Sequence, residues 1–396
     1  MQHNITPEAS YITETDEFLH AAAADSLLSD SYFLQLAASY FQPPAPEDRQ
    51  LFVLGTTLPE EWFAALHLHP TWILGGSLSA LQAANADVPR DTDAVSQSML
   101  GFLKLPCFMG NSDPVVVVPM VNDSMRKIVQ QLEERNAEVI GVDLPCVTDA
   151  ARIPELFTPV LTALADQLAE RFHTRFSRCR LKYAYEEAKQ ARAAYEAVRH
   201  SFRGSTAMFL SNTYYYTGDK ARWQTELHRL AAQAVPDEKR PSVCLMGSPI
   251  YAPNFKIPYL IEKSGLSIAY HFQTAFRPVQ TSQLLRGRKM AASCVRAFYT
   301  DLYSPARIDR TQMEAAFRNM LRDIQPDGIV YVVFKGHIGC DFDLPLFEAA
   351  AEAYEIPLIR LETDYYHNDM EQLRIRLEAF SEILRHKVRT KGKDHA

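Results

Sequence analysis

Short apolar runs alternate along this chain with longer stretches in which apolar residues recur every three or four positions. The short runs predict buried strands, and the longer repeats predict helices. In segment 124–136, for example, Met125, Ile128 and Leu132 would share one helix face. The predicted strands are 51–54, 71–74, 115–118, 139–142, 242–246, 266–270, 329–334 and 357–361. Strands that alternate with helices predict a parallel sheet with right-handed crossovers.

The predicted strands fall into two groups, separated by a stretch without strand signal. That stretch contains the charged, alanine-rich "LKYAYEEAKQARAAYEAVRHSF", which is typical of a helix. We therefore predict an α/β protein with two flavodoxin/Rossmann-like parallel-sheet domains and a helical insert. Its expected parts are an N-terminal helical segment (1–45, helical over 13–41), a first α/β domain (46–152), the insert (153–238) and a second α/β domain with a C-terminal helix (239–396).

Composition and charge exclude several classes of protein. The 396 residues are 47% hydrophobic and carry a net charge of −7, so no basic field exists to hold nucleic acid. No apolar run approaches the roughly 20 residues that span a bilayer, and the N-terminus lacks the pattern of a signal peptide. We expect a cytoplasmic protein with no nucleic-acid or membrane partner. Its six cysteines include no CxxC pair, so in a reducing compartment they are free thiols or metal ligands.

Two strand ends occupy corresponding places in the two halves. "PVVVVPMVND" in the first half corresponds by position to "GIVYVVFKGHIGCD" in the second, and a helix follows each. Cap-type residues predict where these helices begin: at Asn122 or Asp123, and at Asp341 or Asp343. Cys340 would then lie in the loop beyond its strand. Both this loop and Asn122 would lie at the carboxyl edge of a parallel sheet, where such sheets bind ligands.

Glycine-rich turns follow two other strands. "GGS" at 75–77 and "GSP" at 247–249 either expose backbone N–H groups to a phosphate or thioester oxygen, or are simple tight turns. The chain has no Walker A loop, no G-x-G-x-x-G after its first strand, no G-x-S-x-G and no H-E-x-x-H. ATP and dinucleotides are therefore not the first ligands to expect.

Segments in both halves carry a family resemblance. Towards the C-terminus the chain reads "PDGIVYVVFKGHIGC", "IPLIRLETD" and "EQLRIRLEAF", and upstream it reads "LPEEWFAALHLHPTWILGG", "VPRDTDAVSQSMLG" and "DPVVVVPMVNDSMRK". Together these segments resemble the 2-hydroxyacyl-CoA dehydratase and benzoyl-CoA reductase family. The last two upstream segments are similar to that family's first and second cluster-ligand segments. The resemblance covers most of 51–384 and is least specific in the helical insert.

The resemblance implies a radical dehydratase. Members of the family pair two homologous subunits, and each active-site subunit holds a 4Fe-4S cluster through three cysteines, with one iron open to the acyl-CoA thioester or water. A separate ATP-dependent activator supplies one electron and produces a ketyl radical on the acyl-CoA carbonyl, which permits loss of the β-proton and the α-hydroxyl. The implied chain is a lyase subunit that dimerises with a homologous subunit or with itself.

Only one of the three implied cluster positions carries a cysteine. The resemblance places these positions at Asp93, Asn122 and Cys340. A carboxylate can bind iron, whereas the amide of Asn122 is a poor substitute for a thiolate. Cys146, in "EVIGVDLPC", also follows a predicted strand and is the candidate substitute ligand. We therefore expect a modified or lost cluster, with Asp91 and Asp93 either capping a helix or lining a polar pocket.

Several functional hypotheses stay open at this point. The chain catalyses radical dehydration or a reductive acyl-CoA reaction with an unusual cluster, or it is the partner of a cluster-bearing homologue. In a different class, it is a cluster-free scaffold that binds an acyl-CoA or a homologous subunit without catalysis. A third hypothesis is a cluster-free enzyme in which Asp93 and His337 act as acid and base. The spacing of His337 and Cys340 also suits a base and a nucleophile, but spacing in a loop does not bring side chains together.

Overall fold

The structure is a computed structural model that describes residues 6–43, 50–89, 91–110, 114–147, 149–235, 240–271, 289–299 and 310–393. Within these ranges the chain forms two four-stranded sheets in which all paired strands are parallel. The strand order is β2-β1-β3-β4 in the first sheet and β6-β5-β7-β8 in the second. The strands are β1 (Leu51–Leu54), β2 (Thr71–Ile73), β3 (Val115–Pro119), β4 (Val139–Val142), β5 (Ser242–Gly247), β6 (Ser267–His271), β7 (Gly328–Phe334) and β8 (Leu358–Thr363).

Helices flank the sheets and form the insert. They are α1 (Pro7–Ala23), α2 (Tyr32–Phe41), α3 (Glu60–Ala65), α4 (Leu78–Ala83), α5 (Ala94–Phe102), α6 (Pro106–Met109), α7 (Asp123–Glu134), α8 (Ile153–Arg171), α9 (Arg178–Val198), α10 (Gly204–Thr213), α11 (Lys220–Ala231), α12 (Lys256–Lys263), α13 (Met290–Tyr299), α14 (Arg310–Ile324), α15 (Ile338–Ala353) and α16 (Met370–Lys393). No helix within the described residues is long and apolar enough to cross a membrane.

The central strands are buried on both faces, which explains why they read as unbroken apolar runs. Every residue of β3 and of β7 is buried. The prediction of an α/β protein with two parallel-sheet domains is confirmed. Both ends of each predicted strand lie within two residues of the ends of an observed strand. The stretch 13–41, which the sequence predicts to be helical, belongs to two helices, α1 and α2. They are separated by a turn in which Asp25 Oδ1 accepts a hydrogen bond from the N–H of Leu27 (3.0 Å), and Ser31 then caps α2.

The carboxyl edges of the two sheets face each other. The carbonyl of Gly76, after β2, accepts a hydrogen bond of 2.9 Å from the N–H of Asn254, after β5. A Cβ at Gly76 would lie 2.5 Å from the carbonyl oxygen of Ala252, and a Cβ at Gly336 would lie 2.7 Å from that of Asp91. Because only glycine permits these approaches, the contacts bring the two domains together edge to edge.

A buried ion cluster attaches the insert to the first domain. The carboxylate of Glu60 in α3 pairs with Arg192 in α9 (3.1 Å) and with Lys220 in α11 (3.3 Å), and it accepts a hydrogen bond from Tyr214. Burial acts to raise the pKa of Glu60, but these three partners lower it overall. The insert boundary at 152/153 coincides with the start of α8. The boundaries at 45/46 and 238/239 fall outside the described residues.

The N-terminal helix α1 is joined to the start of α4. The carboxylate of Glu14 accepts hydrogen bonds from the hydroxyl of Ser77 (2.7 Å) and from the N–H groups of Leu78 (2.7 Å) and Ser79 (2.9 Å). One donor of the "GGS" turn and two at the start of α4 therefore find their acceptor within the chain. Of the two interpretations of this turn, the structure favours a structural role.

Candidate functional site

A cavity of about 600 Å³ lies between the carboxyl edges of the two sheets. The first domain lines it with residues after β1 and β3 and at the start of α5, and the second domain lines it with residues after β5 and β7. In each sheet these two strands are central, and the strand order reverses between them. Such a switch point is where α/β sheets bind ligands. The cavity brings together Asp93, Asn122, His337 and Cys340.

On the first-domain side, two of the implied cluster positions are helix caps. Asp93 is the N-cap of α5, and its Oδ1 accepts a hydrogen bond of 2.9 Å from the N–H of Ser96. Asn122 is the N-cap of α7, and its Oδ1 accepts one of 2.9 Å from the N–H of Met125. The predicted cap at Asn122 is confirmed. Each of these side chains therefore satisfies a backbone donor that its helix leaves unpaired.

On the second-domain side, the helix start differs from the prediction. Gly336 turns the chain with φ +84°, and α15 begins two residues later. The predicted caps are wrong, because Asp341 lies in the first turn of α15 and Asp343 lies further inside it. The N-cap is His337, whose side chain makes no cap hydrogen bond. Cys340 accordingly lies in the first helical turn and not in a loop.

Instead of capping α15, His337 forms a cluster with Ser248 and Cys340. Its Nδ1 lies 3.0 Å from the Oγ of Ser248, and the same oxygen lies 3.7 Å from the Sγ of Cys340. This Oγ also accepts a hydrogen bond of 2.9 Å from the N–H of Phe334, so its proton is directed towards the imidazole or the thiol. A hydroxyl, an imidazole and a thiol thus meet at the cavity wall.

The environment of His337 favours the charged form of its ring. Burial alone would lower the pKa of His337, but its interaction with Cys340 and the charges of Asp93 and Asp343 outweigh burial and raise it to about 9. We therefore expect an imidazolium at neutral pH. The cavity then contains one protonated ring among several groups that accept hydrogen bonds.

Two threonine hydroxyls that the sequence analysis did not single out also line the cavity. Thr56 and Thr57 follow β1, and the Oγ1 atoms of both are buried without a hydrogen-bond partner among the described residues. Thr56 is 3% exposed. A buried hydroxyl without a partner costs roughly 1–3 kcal/mol, so each such group calls for a ligand or a water molecule. No periodicity marks a single polar residue in a loop; only its place after a buried strand could have identified it.

Cys146 does not join this site. It follows β4, which lies at the edge of the first sheet, and it is exposed and absent from the cavity lining. Among the described residues that line the cavity, Cys340 is the one cysteine.

Comparison with known proteins identifies the family. The model of the family described as "2-hydroxyglutaryl-CoA dehydratase, D-component" matches residues 56–384. The chain belongs to this family. A relative from Escherichia coli (strain K12), named "Putative dehydratase subunit YjiM", is 23% identical over 347 residues, which cover 83% of this chain and 90% of that protein. The family resemblance noted from the sequence is confirmed, and at this level the chain is a dehydratase-family subunit.

The side chains at the cluster positions of this D-component family chain do not form the donor set of a 4Fe-4S cluster. Such clusters are held by thiolates, yet only Cys340 supplies one here, while Asp93 and Asn122 bond to helix amides. Across the part of the chain that the structure describes, no three His, Cys, Asp or Glu side chains come close enough together to hold a metal ion. The ordinary cluster therefore does not fit this chain's own residues.

Proposed function

We propose that this chain is the acyl-CoA-binding subunit of a 2-hydroxyacyl-CoA dehydratase-type enzyme and that it works beside a cluster-bearing homologous subunit. One observation carries the proposal. The three positions that the family resemblance assigns to cluster ligands surround a single cavity, but the side chains at two of them cap helices. The chain thus has a cavity where the family resemblance places a cluster, but it lacks two of the three cysteines that would hold the cluster there.

The lining of the cavity supports an acyl thioester as the ligand. Val95 and Met99 of α5, together with Tyr251, offer apolar surface to an acyl chain. Thr56 and Thr57 offer hydroxyl groups to a thioester carbonyl or a 2-hydroxyl oxygen. An apolar cavity with a few directed polar groups is the usual form of a small-molecule site.

The partners follow from the proposal. A homologous subunit with three cysteines would supply the iron–sulfur chemistry and would receive electrons from an ATP-dependent activator. None of the six cysteines, all of which lie in the described ranges, forms a disulfide, which supports a location in the reducing cytoplasm.

The test is a metal analysis followed by a binding measurement. We expect protein purified without oxygen to contain little iron or sulfide, and calorimetry to detect binding of 2-hydroxyglutaryl-CoA more tightly than free CoA. The matched variant Cys340→Ser should have the same low iron content as the wild type. A content of about four iron and four sulfide per chain, lost in Cys340→Ser, would instead support the catalytic subunit with an unusual cluster. Absence of binding to either CoA compound would contradict the proposed function.

The hypothesis that Asp93 and His337 act as acid and base has one supporting observation, because both residues line the cavity. However, Asp93 already accepts the cap hydrogen bond of α5. Asp93→Asn keeps the cap and removes the carboxylate, since Asn and Asp cap helices about equally well. If the wild type turns over an acyl-CoA and Asp93→Asn does so equally fast, this hypothesis is wrong.

A further inference from the structure

The cluster of Ser248, His337 and Cys340 brings a hydroxyl, an imidazole and a thiol together beside the cavity. Its hydroxyl lies 3.0 Å from the imidazole and 3.7 Å from the sulfur, and Ser248 is fully buried. His337 makes no cap hydrogen bond to α15, and its ring contacts the hydroxyl of Ser248 instead. A thiol and an imidazole that share one orienting hydroxyl group suit an activated nucleophile and its proton carrier.

The backbone around Cys340 fixes the position of its sulfur. The hydroxyl of Tyr331 in β7 donates a hydrogen bond of 2.7 Å to the carbonyl of Cys340. The N–H of Cys340 donates to the carbonyl of His337 (3.1 Å), which closes the first turn of α15. At this end of a helix the dipole stabilises negative charge that develops during a reaction. Cys340 is therefore placed on a rigid element, near the imidazole of His337 and at an electropositive helix end.

A second feature of the same cavity independently points to a ligand. The hydroxyl of Thr56 is buried without a partner among the described residues, and Thr56 and Cys340 both line this cavity. A carbonyl oxygen of a bound molecule would satisfy this hydroxyl. The cavity thus combines a nucleophile with a hydrogen-bond donor of the kind that an acyl group needs.

We propose that Cys340 is an acyl acceptor, which exchanges its thiol for the CoA thiol of a bound acyl-CoA. With its proton held on His337, the sulfur of Cys340 adds to the thioester carbonyl carbon. The bond between the carbonyl carbon and the CoA sulfur then breaks, and the CoA thiolate takes the proton from His337. One thioester replaces another, so the step consumes no oxidant or reductant. This inference rests on the proposed function, because it needs an acyl-CoA in the cavity.

The experiment combines intact-mass measurement with peptide mapping. Wild-type protein is incubated with 2-hydroxyglutaryl-CoA at neutral pH, quenched in acid and digested. We expect the mass of one 2-hydroxyglutaryl group on the peptide that contains Cys340, release of one equivalent of CoA, and removal of the adduct by hydroxylamine. The matched control Cys146→Ser, which changes an exposed cysteine outside the cavity, should form the same adduct. Cys340→Ser should form no hydroxylamine-sensitive adduct.

The role of His337 is tested by separating binding from reaction. His337→Gln should form the adduct at least about 100-fold more slowly, because proton transfer by a positioned side chain contributes roughly that factor. Its affinity for a CoA thioether analogue, which cannot react, should stay close to that of the wild type.

The outcomes distinguish this inference from the proposed function. If wild-type protein binds the thioether analogue but forms no adduct with the thioester, the inference is wrong and the proposed function stands. An adduct that maps to another cysteine also overturns the inference, and this result does not depend on the folding of any variant. If the analogue does not bind, the proposed function fails first.

Discussion

The two halves of the chain repeat one arrangement but use its polar groups differently. A glycine with positive φ and then a hydroxyl residue follow the first central strand of each sheet, as Gly55–Thr56 after β1 and as Gly247–Ser248 at the end of β5. The hydroxyl of Thr56 has no partner among the described residues, whereas that of Ser248 contacts an imidazole, a thiol and a backbone N–H. At the start of the helix that follows the second central strand of each sheet, Asn122 caps α7, while the side chain at the matching N-cap of α15 makes no cap bond.

The difference shows that one strand–turn–helix unit can direct a side chain either to its own backbone or to a ligand. In the first half, the residue at the helix start stabilises the fold, and the hydroxyl at the strand end is left for the cavity. In the second half, the hydroxyl at the strand end orients the side chains at the helix start, which face the cavity. Each prediction below replaces one or two of these side chains and measures what their contacts contribute.

The largest expected effect comes from restoring thiolates to the first half. The double variant Asp93→Cys with Asn122→Cys would surround the cavity with three thiols, one from each cluster position. After anaerobic reconstitution we expect it to hold about four iron and four sulfide per chain, measured by colorimetric assay and visible absorption. The control is Asp93→Ala with Asn122→Ala, which removes both caps without adding thiols. A folded double-cysteine variant with no more iron than this control would show that the three positions are not spaced for a cluster.

The second-largest effect is the pH dependence that His337, in the second half, gives to the free energy of unfolding. Because the pKa of His337 is raised from 6.5 to about 9 in the folded state, the folded protein holds this proton more tightly than the unfolded chain. The stabilisation is fully present below pH 6.5 and is lost as the pH rises through about 9. Relative to His337→Gln, the wild type should therefore lose up to about 3 kcal/mol of unfolding free energy across this range. Urea denaturation at several pH values measures the difference, and parallel curves for the two proteins would contradict it.

A smaller effect is expected from the caps of the first half. Asn122→Ala should lower the free energy of unfolding by about 1 kcal/mol, because one N–H at the start of α7 loses its acceptor. Asn122→Asp keeps an acceptor and should cost much less. The same comparison applies to Asp93→Ala and Asp93→Asn at α5. Equal losses for the alanine variants and their conservative counterparts, measured by urea denaturation, would show that the caps do not stabilise these helices.

The smallest effect concerns Thr56. Thr56→Val removes a hydroxyl that has no partner within the described part of the chain, so the free protein should be as stable as the wild type or slightly more stable. Binding of 2-hydroxyglutaryl-CoA should weaken roughly 2- to 10-fold, which corresponds to one hydrogen bond. Thr92→Val is the matched control, because Thr92 is also buried, has no hydrogen-bond partner in the ranges that the structure describes, and does not line the cavity. Calorimetry should find weaker binding only in Thr56→Val; equal binding in both variants would remove Thr56 from the site.

The sheets could be predicted from sequence, because parallel strands buried on both faces leave unbroken apolar runs such as those of β3 and β7. The cavity could be placed as well, since the carboxyl edges of such sheets bind ligands. The start of α15 could not be predicted, because Asp is a preferred N-cap residue and His is not. The sequence therefore favours Asp341 or Asp343 as the cap. Its N-cap residue makes its contacts with Ser248, which is distant in sequence and reaches it only in the folded protein.

The carboxylate of Glu14 gives the leading helix α1 an influence beyond its own packing. This helix precedes residue 56, where the family match begins, yet Glu14 holds the start of α4 directly after the turn that contains Gly76. Gly76 in turn contacts the second domain. In a chain trimmed to the matched region, these donors would hydrogen-bond water instead of Glu14. The turn that contains Gly76 would then be able to shift relative to the second domain. Relatives that differ only in this N-terminal helix would therefore differ in how tightly their two domains pack around the same ligand.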